Sequence, residues 1–203
     1  MTTDIEITES ADAYRTALRA PVRALWMGVF TLDQFLDAFG AAIEQGLTRA
    51  WIDGAGECGI RFDELSSNER ATLKQHILMQ RLYMGRYGES IVAAQKGVGK
   101  LTNHFARLET WVNRWNEVRN VAAAMACKDK KVKWQLNLRK VTKVHCISCS
   151  TFHDRVYRYS TWLENGALPQ SRRLACGGFR CGCGFVDTDE RITPGRFPSS
   201  VLQ

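Results

Sequence analysis

Histidine is scarce here, 4 in 203 residues, and none stands in a pattern that hydrolytic or metalloprotease chemistry uses. There is no H-E-x-x-H, no nucleophile elbow and no pair of carboxylates on one helix face. These absences argue against an enzyme. Long apolar runs are missing too: "VAAAMAC" is bounded by Arg119 and Lys128, far short of the roughly 20 residues a membrane helix needs. The opening "MTTDIEITESADAYR" is acidic and lacks a basic-then-apolar export pattern, so a cytoplasmic chain is expected. Internal repeats and low-complexity stretches are also absent.

Cysteine is nearly absent from the first 145 residues. Cys58 and Cys127 stand alone there, each in a helical context, and are expected to be small buried hydrophobes. A reducing compartment makes disulfides the least favoured use of cysteine pairs. One further motif falls away: "AQKGVGKLT" has Ala94 where a phosphate loop needs Gly and Leu101 where it needs Ser or Thr, so it reads as a turn between helices.

What is present is, first, helical periodicity. After Thr31, a suitable N-cap, Leu32, Phe35, Phe39, Ile43, Leu47 and Trp51 recur at spacings of three and four, and Gly54 or Gly56 can end the helix. Ser66 and Glu69 stand in capping-box spacing and open a second helix carrying Leu73, Ile77, Leu78, Leu82 and Ile91. A third helix carries Leu101, Phe105, Leu108, Trp111, Val112, Trp115 and Val118; its aromatic face, like Met79 and Met84, reads as core. At Lys128 the period changes to two through Val132, Trp134, Leu136 and Leu138, a strand. "DRVYRYSTW" is β-prone, "LENGALPQ" a turn or loop, and "FRCGCGFVDT" a last short strand. The fold class expected is α+β: a helical domain over 1–127, a basic β module over 128–193, and an extended tail over 194–203 suited to lying on a partner.

Charge follows the same division. Residues 128–203 hold 14 Lys and Arg against 6 Asp and Glu, while residues 1–127 hold 14 against 15. A basic module suggests an anionic contact such as nucleic acid, with Arg155, Arg158, Arg172, Arg173 and Arg180 as candidate contacts. Tyr157, Tyr159 and Trp162 beside those arginines are candidate base-stacking residues, or ordinary strand packing.

That module holds five of the seven cysteines. Cys146 and Cys149 form a CxxC, whose turn brings two sulfurs to one side, within reach of metal bonds of about 2.3 Å. About thirty residues on, Cys176, Cys181 and Cys183 lie among Gly177, Gly178, Gly182 and Gly184, which permit sharp turns. Two close groups across a short β excursion is the pattern of a structural zinc ribbon. Four of Cys146, Cys149, Cys176, Cys181 and Cys183 are the expected ligands, preferentially Cys146, Cys149, Cys176 and Cys181; His145 or His153 is an alternative to one sulfur. A thiol nucleophile or redox pair at Cys146 and Cys149, with His153 and Asp154 nearby, lacks the βαβ setting such chemistry uses.

"HCISCSTFHDRVYR", "LPQSRRLACGGFRCGCGF" and the "TDE…TPG" ending resemble the phage head morphogenesis proteins, minor head proteins related to protein F of phage Mu. In that family a C-x-x-C followed by "x-L-x-G-K-V" leads across a Pro-containing insert to a "C-R-C" ending. Phe152, His153, Asp154 and Val156 match the first motif, and Cys176, Cys181 and Cys183 the ending. The family's Gly-Lys is replaced within His153-Asp154-Arg155, and its C-R-C arginine is Gly182, with Arg180 one place before the motif. The resemblance spans roughly residues 20–195, its specific motifs 145–185. It implies a structural virion component that is not an enzyme. Such a protein associates with the portal or major capsid protein in the host cytoplasm, enters the virion head, contacts genomic DNA, and has neither a membrane nor a small-molecule substrate.

Overall fold

The computed structural model describes residues 3–136, 144–179 and 181–203, with side chains from residue 11 onward. It is mainly helical, with one small antiparallel sheet and a cysteine cluster. The chain forms two compact units, and their boundary does not follow the change of character at Lys128. Residues 1–50 and 66–115 make the first unit; residues 51–65 and 116–203 make the second.

In the first unit, α1 (Thr3–Trp26), the start of α2 (Leu32–Gly56), α3 (Ser67–Arg81), α4 (Met84–Gln95) and the start of α5 (Leu101–Ala126) enclose an apolar core. Thr31 caps α2 reciprocally with Gln34: the Gln34 amide donates to Thr31 Oγ1 at 3.2 Å, and the Thr31 amide to Gln34 Oε1 at 2.9 Å. Satisfying two otherwise unpaired amides fixes where the helix begins. Ser66 and Glu69 do the same for α3. Phe35, Phe39, Ile43 and Leu47 are then fully buried, as their periodicity implies.

The second helix expected from Ser66 onward is two helices. Leu82 and Tyr83 lie at the break and are exposed, while Tyr87 and Ile91 of α4 are buried. The break turns α4 so that Tyr87 packs against Trp111, with ring centroids 4.9 Å apart, and donates its hydroxyl hydrogen to the His104 carbonyl at 2.8 Å. Tertiary packing outweighs the continuous helical pattern there.

The second unit gathers the last turns of α2, the end of α5, and everything after it. β1 (Lys131–Gln135) is the central strand, antiparallel to β2 (Val156–Arg158) on one side and β3 (Gly184–Asp187) on the other. Val132 pairs with Tyr157, and Trp134 with Phe185. Val132 and Trp134 are buried and Lys131 and Lys133 partly exposed, the period of two read from the sequence. Leu138 lies outside the described residues. "DRVYRYSTW" is only half strand: after β2 it becomes α7 (Tyr159–Glu164).

The core of this unit is aromatic. Trp162 lies 5.4 Å from Trp134 and from Phe152, 5.3 Å from Phe185 and Phe197, and 5.1 Å from Tyr157, between ring centroids. Phe197 belongs to the segment expected to be an extended tail, and that segment is folded onto its own chain. Leu202 bridges to Leu174, the Gln203 amide donates to the Arg173 carbonyl at 2.8 Å, and the Thr193 amide to the Val156 carbonyl at 2.9 Å. Apolar Phe197 and Leu202 have apolar partners within the chain, so no outside surface is needed to order them.

Cys58 and Cys127 are not two isolated buried thiols. Cys58 is exposed, and the two form a disulfide with Cα atoms 5.6 Å apart. Gly54 makes this approach possible: a Cβ there would lie 2.1 Å from the Arg119 carbonyl oxygen and 2.9 Å from Ala122 Cβ, so α2 and α5 touch backbone to backbone. Beside the contact, Glu57 pairs with Arg119 at 2.6 Å. Burial raises the Glu57 carboxyl above its usual range, with Arg119 opposing. Gly54→Ala should therefore cost about 1–3 kcal/mol by overpacking. Gly56→Ala, where a Cβ meets nothing within 4 Å, should cost nothing. Urea midpoints of the two variants check this, and equal midpoints would mean that the helices are not in contact at Gly54.

Candidate metal centre

Two arms carry the five cysteines. The first is α6 (Ile147–Phe152), which begins directly after Cys146. Cys146 stands at its N-cap in extended conformation and Cys149 on its first turn, which aims both sulfurs to one side. The Cys149 amide is directed at the Cys146 sulfur, and so is the Cys176 amide. The second arm turns through Gly177 and Gly178, both left-handed at φ 61° and 74°. A Cβ on Gly178 would lie 2.0 Å from the Gln170 carbonyl oxygen, so only glycine fits this turn. Its amide is directed at the Cys176 sulfur.

The arms meet at Cys149. The sulfurs of Cys146, Cys149 and Cys176 lie within 4.8 Å of one another, and so do those of Cys149, Cys181 and Cys183. Cys149 and Cys181 are 3.8 Å apart. A tetrahedron with metal–sulfur bonds of about 2.3 Å has edges of about 3.8 Å, so this pair sits at ligand spacing. Cys176 also interacts with Cys181. All five sulfurs are linked through Cys149, with Cys146 and Cys176 in one group and the buried Cys181 and Cys183 in the other.

Amides pointing at sulfur stabilise thiolate over thiol. Burial pushes the Cys146 thiol up, but the Cys149 amide and thiol and the Cys176 thiol and amide bring it below its ordinary value. The Cys181 thiol is lowered by contact with the Cys149, Cys176 and Cys183 sulfurs. Cys149 is raised by contact with the Cys176, Cys181 and Cys183 sulfurs, and then by burial. Neighbouring thiols thus favour the thiolate at Cys146 and Cys181 and the thiol at Cys149, and sulfur donors gathered in this way are of the type that soft or borderline divalent cations take.

The remaining candidates fall elsewhere. Neither His145 nor His153 joins a ligand group among the described residues, and His153 instead lies 3.5 Å from Asp154 at the surface. Arg155 donates to the Thr151 carbonyl and Arg158 to Asp129. Arg172 is exposed, and Arg173 donates to the Asn165 and Gln203 carbonyls. Arg180 lies outside the described residues. Tyr157, Tyr159 and Trp162 are 4%, 4% and 0% exposed, which removes them as base-stacking platforms.

Three supporting residues have no signature in the sequence. Ser148, inside the CxxC and fully buried, accepts from the Ala175 amide at 2.9 Å and donates to the Val201 carbonyl at 2.5 Å. It ties the first arm to the second and to the C-terminal segment. The other two are Gln170 and Asn120. Comparison with protein-family models, with curated proteins and with solved structures finds no match for this chain.

Proposed function

We propose that this chain is a minor head protein of a tailed phage or prophage, a structural and non-enzymatic virion component whose second unit is held by one zinc ion. Cys146, Cys149, Cys176 and Cys181 are the ligands, and Cys183 packs behind them. The observation that carries the metal part is that two groups of three thiols, each within 4.8 Å, share Cys149, which lies 3.8 Å from Cys181. The head-protein part is supported by the motif resemblance over residues 145–185. The partners are the portal or major capsid protein during assembly in the host cytoplasm, with packaged DNA as a further contact, and the protein ends in the virion head.

Two measurements test the reading separately. Metal analysis of chain purified without chelator should give about one zinc per chain. Co-expression with the portal protein of the same phage or prophage should give a complex that survives gel filtration. Zinc without a portal or capsid complex, together with tight binding of short DNA that weakens steeply with salt, would replace the head-protein reading with a stand-alone zinc-ribbon nucleic-acid-binding protein. The burial of Tyr157, Tyr159 and Trp162 leaves that alternative without its stacking residues.

A further inference from the structure

We propose that Gln170 positions the Cys181–Cys183 arm of the metal centre, and that Asn120 of α5 holds Gln170 in place. The inference rests on the metal reading above and goes beyond it, because neither residue is a ligand.

Gln170 is 1% exposed and has φ 64°, one of two non-glycine residues with positive φ among those described. The other, Asp154, is exposed. A buried left-handed glutamine costs on the order of 1 kcal/mol and persists only where its surroundings over-determine it. Here they do. The side chain uses both hydrogens of Nε2, one to the Cys181 carbonyl at 2.9 Å and one to the Cys183 carbonyl at 2.6 Å. Its Oε1 accepts from Asn120 Nδ2 at 2.7 Å, and the same Nδ2 donates to the Pro169 carbonyl at 2.9 Å. The Gln170 amide is directed at the Cys181 sulfur, and its carbonyl oxygen occupies the space a Cβ on Gly178 would need. One residue thereby fixes both carbonyls of the C-x-C, one of its sulfurs, and the back of the Cys176 turn.

The chemistry requires a primary amide. Two donors and one acceptor on one side chain are available only from Gln or Asn, and Asn is one methylene short of this reach. A carboxylate would face two carbonyl oxygens with no hydrogen to share. Removing an outer-shell partner of this kind costs about 10–100-fold in metal affinity.

The test uses the full chain, with zinc affinity read by competition against a chromophoric chelator and ligand geometry read from the absorption of the cobalt(II)-substituted protein. Gln170→Glu should weaken zinc binding by about 10–100-fold and alter the cobalt spectrum. Asn120→Ala, which touches no cysteine, should shift both in the same direction and serves as the comparison if Gln170→Glu does not fold. An unchanged cobalt spectrum would overturn the inference even if zinc binding weakened, since loss of stability alone lowers zinc affinity through its coupling to folding and leaves the ligand geometry as it is. A wild-type chain that takes up no metal would instead overturn the metal reading beneath it.

Discussion

On the proposed zinc reading, a chelator or the replacement of Cys149 by Ser should unfold the second unit and leave the first helical. Cys149 is the only residue common to both thiol groups, so its loss separates the arms. Among the described residues the sheet of this unit has three strands of three to five residues, too short to hold without a staple. Structural zinc contributes on the order of 10 kcal/mol in small modules, more than the whole stability of many domains. The signal should be large in the near-ultraviolet, because Trp134, Trp162, Tyr157, Phe152 and Phe197 pack against one another. Far-ultraviolet helicity should fall much less, since most helical residues lie in the first unit. The C-terminal segment should become protease-sensitive at the same time, because Ser148 connects it to the CxxC arm. An unchanged near-ultraviolet spectrum and unchanged protease resistance after chelation would sink the metal staple.

The second large effect concerns Cys58 and Cys127. Their bond closes a loop of 69 residues, for which the chain-entropy relation gives about 4 kcal/mol. Cys58→Ser and Cys127→Ser should therefore lower the melting temperature alike, by more than about 10 °C. Alkylation of denatured, unreduced protein should modify five thiols, with Cys58 and Cys127 spared. Seven modified thiols, or two variants that melt with wild type, would show that the pair is not bonded. A bond of this kind also bears on the proposed setting. A component assembled in a reducing cytoplasm and then carried outside the cell spends its working life where disulfides persist.

Much of this architecture is legible in the sequence, because its determinants are local. Thr31 and Ser66 mark helix starts through bonds made within three residues, and the alternation of Val132 and Trp134 needs only one buried sheet face. The cysteine cluster is legible for a similar reason: CxxC spacing and the Gly177-Gly178 turn set the thiols of each arm by local geometry. What stays hidden depends on long-range contacts. The Cys58–Cys127 bond requires a close helix approach at Gly54, and no pattern around either cysteine announces it. Residues 159–164 carry β-prone Tyr159, Thr161 and Trp162 but form α7, from which Trp162 is fully buried; tertiary context overrides the local preference there. Gln170 is hidden most completely, since it reads as a loop residue and nothing in its neighbourhood signals a left-handed backbone.

The second unit is made of two stretches that the ribosome delivers at different times. Residues 51–65 emerge well before residues 116–203, and at bacterial elongation rates the interval between Cys58 and Cys127 is on the order of several seconds. Throughout that interval Cys58 has no partner, and the next thiol to appear is the right one. The five clustered cysteines come only afterwards. Chain order thus lets the segments around Cys58 and Cys127 pack together before the clustered thiols appear, so that the pair is in place when oxidation comes. Refolding from denaturant removes that order, because all seven thiols are then present at once. Recovery should therefore be higher when zinc is supplied before oxidant than after it.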